Sequence, residues 1–220
     1  MFTENLISIE SPVIEDKGDF EISDYFDIEK ITKSHLDHNI KIFTLGGDHS
    51  ITFPILKAVN EVYPKLDILH IDAHCDLYDS YEGDPYSHAC PFARIMENGL
   101  AKNLVQVGIR TLNEHQAEQA EKFGVAVHQM KNLDLSTIPK FNNPVYVSLD
   151  LDGLDPAFAP GVSHHEPGGL TSRQVIDLIQ SLDAPIIGAD IVEYNPDRDF
   201  HNMTAYLAAK LMKELLGKML

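Results

Sequence analysis

The chain has 220 residues, 44% of them hydrophobic and 23% charged, which suits one globular domain with a substantial core. Its formal net charge of −17 argues against nucleic acid as a partner, and no stretch of sequence approaches an uninterrupted transmembrane span. The first residues lack the pattern of a secretory signal, and the two cysteines provide no disulfide framework, so we expect a cytoplasmic protein.

The first 37 residues differ from the rest of the chain. They are acidic, and their apolar runs are short, at residues 6–9 and 13–14. This pattern predicts an irregular arm with at most one strand and one helix, the helix running from Ile28 to Leu36.

Apolar runs alternate with segments of helical spacing from residue 41 onward. The strand-like runs are 41–45, 66–71, 104–107, 125–127, 145–149 and a run that begins at 186. The helical segments are 53–63, 92–98, 114–123, 174–182 and 204–219, and Thr171 or Ser172 is placed to cap the fourth. Strands that alternate with helices predict an α/β fold of three α/β/α layers with a mainly parallel sheet, and residues 1–220 as a single domain.

Acidic and histidine side chains follow two of these predicted strands. Asp72, His74 and Asp76 alternate after the run that ends at Ile71, and Asp150 and Asp152 follow the run 145–149. Residues two apart in an extended segment share a face, so each set can line one side of its segment. In parallel sheets the site lies beyond the carboxyl ends of the strands, where these residues fall. The pattern therefore predicts a site for hard divalent cations.

Three motifs surround these residues and reveal a resemblance. They are Gly46-Gly-Asp-His-Ser50, the segment from Ser148 to Pro156, and Asp190-Ile-Val-Glu-Tyr-Asn-Pro196. The glycines of the first motif would permit a tight turn that exposes His49. Together, and in this order, they resemble the signatures of the ureohydrolase family of arginases and agmatinases, from about Asp16 to the C-terminus. The resemblance implies an arginase-like fold and a homo-oligomer, a trimer or a hexamer. Relatives usually begin with a strand ahead of the first region recognisable here, which the 1–37 arm is expected to lack.

The resemblance also implies a binuclear manganese centre holding two Mn²⁺. One ion would be held by His49, Asp72, Asp76 and Asp150, and the other by His74, Asp72, Asp150 and Asp152. The shared carboxylates of Asp72 and Asp150 would bridge the two ions, a donor set that suits manganese. Hydroxide formed from a bridging water would attack a guanidinium carbon, and the products would be urea and an amine.

Further residues acquire roles by the same resemblance. Glu193 would grip the planar guanidinium, and His88 would deliver a proton to the departing amine. Asp76 is counted among the catalytic residues as well as the ligands. His164 and His165 are candidates for substrate binding, but adjacent histidines point in different directions, so at most one should face the site.

The substrate is expected to be a small cationic guanidino compound. Arginases recognise the α-amino and α-carboxylate groups of arginine with two polar residues, and the corresponding positions here are Tyr78 and Asn113. This difference favours agmatine and leaves arginine and guanidinobutyrate as alternatives. A metal-binding but catalytically silent homologue is the other class of function.

Overall fold

The computed structural model describes residues 2–9 and 14–220 and has three layers, with a parallel sheet between two layers of helices. The strands are β1 (Ile42–Leu45), β2 (Asp67–Ile71), β3 (Asn103–Ile109), β4 (Ala126–Gln129), β5 (Val145–Asp150) and β6 (Ile186–Val192). The helices are α1 (Asp27–His35), α2 (Thr52–Val62), α3 (Pro91–Glu97), α4 (Glu114–Phe123), α5 (Ser172–Ser181) and α6 (Met203–Met219). The strand order is β1-β6-β5-β2-β3-β4, and every neighbouring pair is parallel.

Each face of the sheet buries its own apolar core. Leu69, Val147 and other residues of one face pack against α5 and α6, while Ile68, Tyr146 and others of the opposite face pack against α2 and α3. The central strands are buried on both faces, which is why their sequences read as nearly continuous apolar runs. The predicted α/β/α fold is confirmed.

The predicted cap of α5 is present and takes the form of a capping box. The side chain of Thr171 accepts from the backbone N–H of Gln174, and Gln174 Oε1 accepts from the backbone N–H of Thr171 at 2.9 Å. Two of the free N–H groups at this helix start are thereby satisfied, which fixes where α5 begins.

The helix predicted in the arm is present as α1, and it packs on α2. Lys33 bridges Glu29 of its own helix and Glu61 of α2, and Lys57 of α2 also pairs with Glu29. These ion pairs, together with apolar contacts of Tyr25, Phe26 and Ile28 with the core, explain why a helix forms in so acidic a segment.

The segment from residue 2 to residue 9 lies against α6 and forms no strand. It contains a single bridge between Phe2 and Ser8, and Glu4 binds Arg173 and Lys210. These hydrogen-bonded cations lower the pKa of Glu4 to about 2. Val13, part of the second apolar run, lies outside the described residues. In the described part of the chain, no helix combines the length and the apolar character needed to cross a membrane.

Candidate metal centre

The structure brings all six predicted ligands together at the carboxyl edge of the sheet. Asp72, His74 and Asp76 follow β2, Asp150 ends β5, Asp152 lies two residues beyond it, and His49 begins the short turn after β1. The predicted exposure of His49 is wrong: its side chain is 1% exposed, because α3 and the ends of the strands close over it. Of the six, His74 is the most accessible, at 28% side-chain exposure.

One group of ligands converges on a single nitrogen. Nδ1 of His49 lies 3.2 Å from Asp72 Oδ2, 3.2 Å from Asp76 Oδ2 and 3.1 Å from Asp150 Oδ2. This buried nitrogen makes no hydrogen bond of acceptable geometry. One N–H cannot serve three carboxylates, whereas a divalent cation can bind all four atoms. Donors that share an octahedral cation at ~2.1 Å lie about 3 Å apart, which matches these separations.

Residues beneath the ligands determine which nitrogen of His49 faces the carboxylates. Nε2 lies 3.0 Å from Ser148 Oγ, and this hydroxyl donates to Asp190 Oδ1 at 2.7 Å. Ser148 must then accept from His49, which places the imidazole proton on Nε2 and a lone pair on Nδ1 when the ring is neutral. Tyr146 and Thr52 donate to the other oxygen of Asp190 and keep it an acceptor.

The second group of ligands shares Asp72 with the first. His74 Nδ1 lies 3.1 Å from Asp152 Oδ2 and 3.4 Å from Asp72 Oδ1. Asp72 therefore presents one oxygen to each group, the arrangement that a bridging carboxylate requires. Asp150 contacts His49 through Oδ2, while its Oδ1 accepts from the N–H of Asp152. The donors present fit two adjacent divalent cations.

Two glycines that sequence reasoning missed allow the backbone of Asp72 to lie where it does. A Cβ on Gly108, whose φ is +102°, would lie 2.8 Å from the carbonyl oxygen of Asp72. A Cβ on Gly153 would lie 2.9 Å from its backbone nitrogen. Both approaches are closer than real Cβ contacts, so these positions require glycine. A single sequence carries no signal for this requirement, because β2 meets these glycines only in the folded chain.

Arg110 clamps the loop that carries Asp152. Its guanidinium donates to the carbonyl oxygens of Asp152 (2.6 Å) and Glu166 (2.7 Å), and to those of Gly108, Gly153 and Leu154. Burial lowers the pKa of Arg110 from its ordinary value, although nearby carboxylates oppose the shift. The sequence analysis missed Arg110. Its position directly after β3 could have marked it as a residue near the site, but no sequence pattern indicates which carbonyl oxygens it contacts.

Two site residues have unusual backbone conformations. Asp76 has φ +50° and Glu193 has φ +64°, in the left-handed region that side chains with a Cβ rarely adopt. Such outliers persist where the surroundings enforce them, and they concentrate at functional sites. Glu193 Oε1 accepts from the backbone N–H of His49 at 2.8 Å, which ties the end of β6 to the turn after β1.

A cavity of about 190 Å³ lies over the ligands. Besides five of the ligands, its lining includes Glu193, His88 and His164 among the predicted residues. The rings of His88 and His164 stack with centroids 5.7 Å apart. His165 does not line the cavity, and its Nε2 lies 2.7 Å from the carbonyl oxygen of Pro160, so its placement does not support a substrate role.

Tyr78 and Asn113, the residues that made arginine the less favoured substrate in the sequence analysis, lie in different surroundings. Tyr78 lines the cavity, and its hydroxyl accepts from the amide of Asn113. Asn113 itself caps α4, because its Oδ1 accepts from the N–H of Gln116 at 2.9 Å. Only Tyr78 is therefore in a position to contact a substrate here.

Cation affinity is expected to rise with pH, because protons occupy the metal-free centre. Burial and the charge of Asp72 raise the pKa of Asp152 to about 7. Burial disfavours the charged form of His74, but hydrogen bonds to Asp152 and Asp72 outweigh it and raise its pKa to about 12. Each raised pKa means a proton that the cation must displace, so a higher pH strengthens binding and a lower pH weakens it.

Calorimetric titration of Mn²⁺ in two buffers of different ionisation enthalpy measures the released protons. At neutral pH the binding heat should differ between the buffers, and the affinity should increase between about pH 6 and about pH 8. An affinity independent of pH, with equal heats in both buffers, would contradict this protonation scheme.

The sequence and the fold of this chain are both similar to those of known proteins. The sequence profile of the arginase family matches residues 4–217. The chain is 52% identical over 190 residues to the mitochondrial arginase of Medicago truncatula, covering 82% of this chain and 56% of that protein. It is 37% identical over 195 residues to an agmatinase of Bacillus cereus, covering 86% of this chain and 67% of the relative. The solved structure of arginase from Medicago truncatula matches with a TM-score of 0.84 at 48% identity, covering 89% of this chain and 64% of that one.

These matches confirm the predicted ureohydrolase resemblance and the arginase-like fold. The chain spans little more than half the length of the plant arginases that it matches. The matches do not confirm agmatinase-like specificity, since relatives at 47–52% identity are arginases. The chain belongs to the arginase family.

Proposed function

We propose that this protein is a metal-dependent hydrolase that cleaves a guanidino compound to urea and an amine. The observation that carries the proposal is the convergence of three carboxylates on an unpartnered Nδ1 of His49, next to a second ligand group that shares Asp72. Glu193 lies at the wall of the same cavity, where a cationic group would meet it.

Two Mn²⁺ ions are the proposed cofactor. His49, Asp72, Asp76 and Asp150 would hold one ion, and His74 and Asp152, with Asp72 and Asp150 shared, would hold the other. Carboxylate-rich ligation with imidazole nitrogens suits manganese. When bound, the ions supply Lewis-acid activation of a water molecule as a nucleophile near neutral pH.

The proposed task of Glu193 is to orient the guanidinium. A carboxylate can accept two parallel N–H bonds from this planar cation, and such charge-assisted pairs fix both position and angle. The hydrogen bond from the backbone of His49 holds Glu193 beside the metal ligands, so the guanidinium carbon would lie close to them. The carboxylate would thus contribute proximity and orientation.

His88 is the proposed donor of a proton to the departing amine. It lines the cavity and stacks on His164, and imidazole exchanges protons readily near neutral pH. His164 in turn lies with its ring centroid 6.1 Å from that of His74. We therefore assign His164 to substrate contact at the cavity mouth.

Arginine is the first candidate substrate and agmatine the second. The plant relatives support arginine. A specific feature of the structure supports agmatine: a larger cavity of about 660 Å³ shares Tyr81 and His88 with the first. Its acidic lining residues are Asp24, Asp48, Glu82 and Asp84. No lysine or arginine occurs among the described residues that line it, so it would attract the free amine of agmatine and repel a terminal carboxylate.

A urea-release assay tests this function. Manganese-loaded protein should release urea from arginine or agmatine, and chelation of the metal should abolish the release. Guanidinobutyrate, which ends in a carboxylate, is the control for the acidic cavity and should react more slowly than agmatine. If protein that binds two metal ions released no urea from any of the three, the silent-homologue alternative would replace the proposal.

Residues 1–220 are further proposed to form a single domain, since both cores share one sheet. The homo-oligomer and the cytoplasmic location stay predictions. Light scattering of the purified protein would measure the first, and imaging of a tagged chain in its own cells would measure the second.

A further inference from the structure

His70 is a buried histidine that is not among the predicted ligands. It lies on β2, two residues before Asp72 and on the same face of the strand, with no exposed surface. Its Nε2 is 2.7 Å from Asp72 Oδ2, and its ring stacks on Phe92 with centroids 3.8 Å apart. The sequence analysis did not predict this contact with Asp72.

Gln106, its neighbour on β3, determines where the proton of His70 lies. The amide nitrogen of Gln106 is 2.6 Å from the carbonyl oxygen of Cys75, an obligatory acceptor, and 3.0 Å from His70 Nδ1. The NH₂ group must therefore face both atoms, and Nδ1 must be the acceptor. This arrangement leaves Gln106 Oε1 buried without a hydrogen-bond partner, which costs free energy. In the opposite amide orientation, Oε1 would instead face the carbonyl oxygen of Cys75, and two acceptors would repel each other.

The two nitrogens of His70 are thus both engaged, and neither is available to a cation. Nδ1 accepts from Gln106, so Nε2 carries the proton and donates to Asp72 Oδ2. The same oxygen of Asp72 lies 3.2 Å from His49 Nδ1, inside the first ligand group. The other oxygen accepts from the N–H of His74 at 2.6 Å and faces the second group.

We propose that His70, held by Gln106, whose amide is itself fixed by the carbonyl oxygen of Cys75, is a positioning residue that orients the carboxylate of Asp72 between the two metal ions. The inference rests on the proposed metal centre and adds residues to it. A carboxylate that must serve two ions loses affinity for both if it rotates, so the N–H of His70 holds it in the productive orientation before the metal arrives.

Two substitutions separate this role from packing. His70→Phe retains an aromatic ring against Phe92 but removes the donor, and it should lower manganese affinity about 10- to 100-fold. His70→Gln places an amide N–H near the position of Nε2, and its affinity should stay within about 3-fold of the unaltered protein. Asp67→Asn is the control, because Asp67 is equally buried on β2 but lies at the opposite end of the strand.

The measurement is calorimetric titration of Mn²⁺ into metal-freed full-length protein, with circular dichroism as the check on folding. Equal affinity in folded His70→Phe would overturn the positioning role, as would an equal loss in His70→Gln. If the unaltered protein bound no manganese, the metal centre itself would fail, a result distinct from either of these.

A second measurement needs no variant and therefore holds even if His70→Phe does not fold. Nitrogen-15 NMR of histidine-labelled, metal-free protein reports which ring nitrogen carries the proton. We expect His70 to be protonated at Nε2 and unprotonated at Nδ1. A proton on Nδ1 alone would mean that His70 donates nothing to Asp72, and the proposal would be wrong.

Discussion

Replacing Asp150 by asparagine is expected to lower kcat/KM for urea release by roughly 10³-fold, the upper range for losing one electrostatic contact at a reacting centre. Asp150 ends β5 and is 3% exposed, with Oδ2 3.1 Å from His49 Nδ1 and Oδ1 bound to the N–H of Asp152. The amide has nearly the same shape but lacks the negative charge that two cations would share. Most of the metal binding should disappear together with the activity.

Metal analysis and urea release measured on the same preparation check this result. The control is Asp67→Asn, the same chemical change at a buried aspartate on the neighbouring strand, where the partners are Asn103 and Asn143. That variant should lose stability but retain metal binding. Unchanged urea release by Asp150→Asn would refute the bridging role.

Replacing Glu193 by glutamine is expected to lower kcat/KM by roughly 10²-fold, or ~3 kcal/mol, without removing metal. The amide oxygen of glutamine can still accept from the backbone of His49, so the local fold should persist. What disappears is the charge that grips the guanidinium. The loss should therefore fall on substrate binding and orientation, with the bound metal unchanged.

Steady-state kinetics and metal content, measured on one sample, distinguish a loss of substrate binding from a loss of metal. Glu166→Gln is the matched control, because the backbone of Glu166 binds Arg110 but its side chain is not assigned to the site. This variant should leave kcat/KM and metal content nearly unchanged. A loss of metal from Glu193→Gln would place Glu193 among the ligands and change its assigned role.

A large part of the architecture follows from local sequence. The alternating apolar runs identified every strand and helix from residue 42 onward, because strands buried on both faces must be apolar and surface helices must be amphipathic. The motifs that carry the predicted ligands follow β1, β2 and β5, and the motif that carries Glu193 follows β6, so a parallel sheet necessarily brings them to one edge. Residue type and strand-end position indicated five of the predicted ligands, and the family resemblance added His49.

The packing of the arm could not be obtained in the same way. The sequence predicted the helix observed as α1, but it did not predict that lysines of α1 and α2 neutralise Glu29 or that aromatic residues beside α1 join the core. Lys57 and the core residues that contact Tyr25 and Phe26 lie far from α1 in sequence. Local propensity cannot register a contact that only tertiary packing supplies.

By itself, the sequence indicated the fold class through its periodicity and a divalent-cation site through the residue types at strand ends, and its motifs indicated the arginase family and the ligand set by resemblance. Only the tertiary structure decided how the donors are oriented. Nδ1 of His49 faces the carboxylates because Ser148 and Asp190, on adjacent strands, hold its other nitrogen. Asp72 is held by His70, and the choice of His70 tautomer depends on Gln106, one strand away. Tautomers and carboxylate rotations are set by hydrogen bonds across strands, and these partners become neighbours only when the sheet forms.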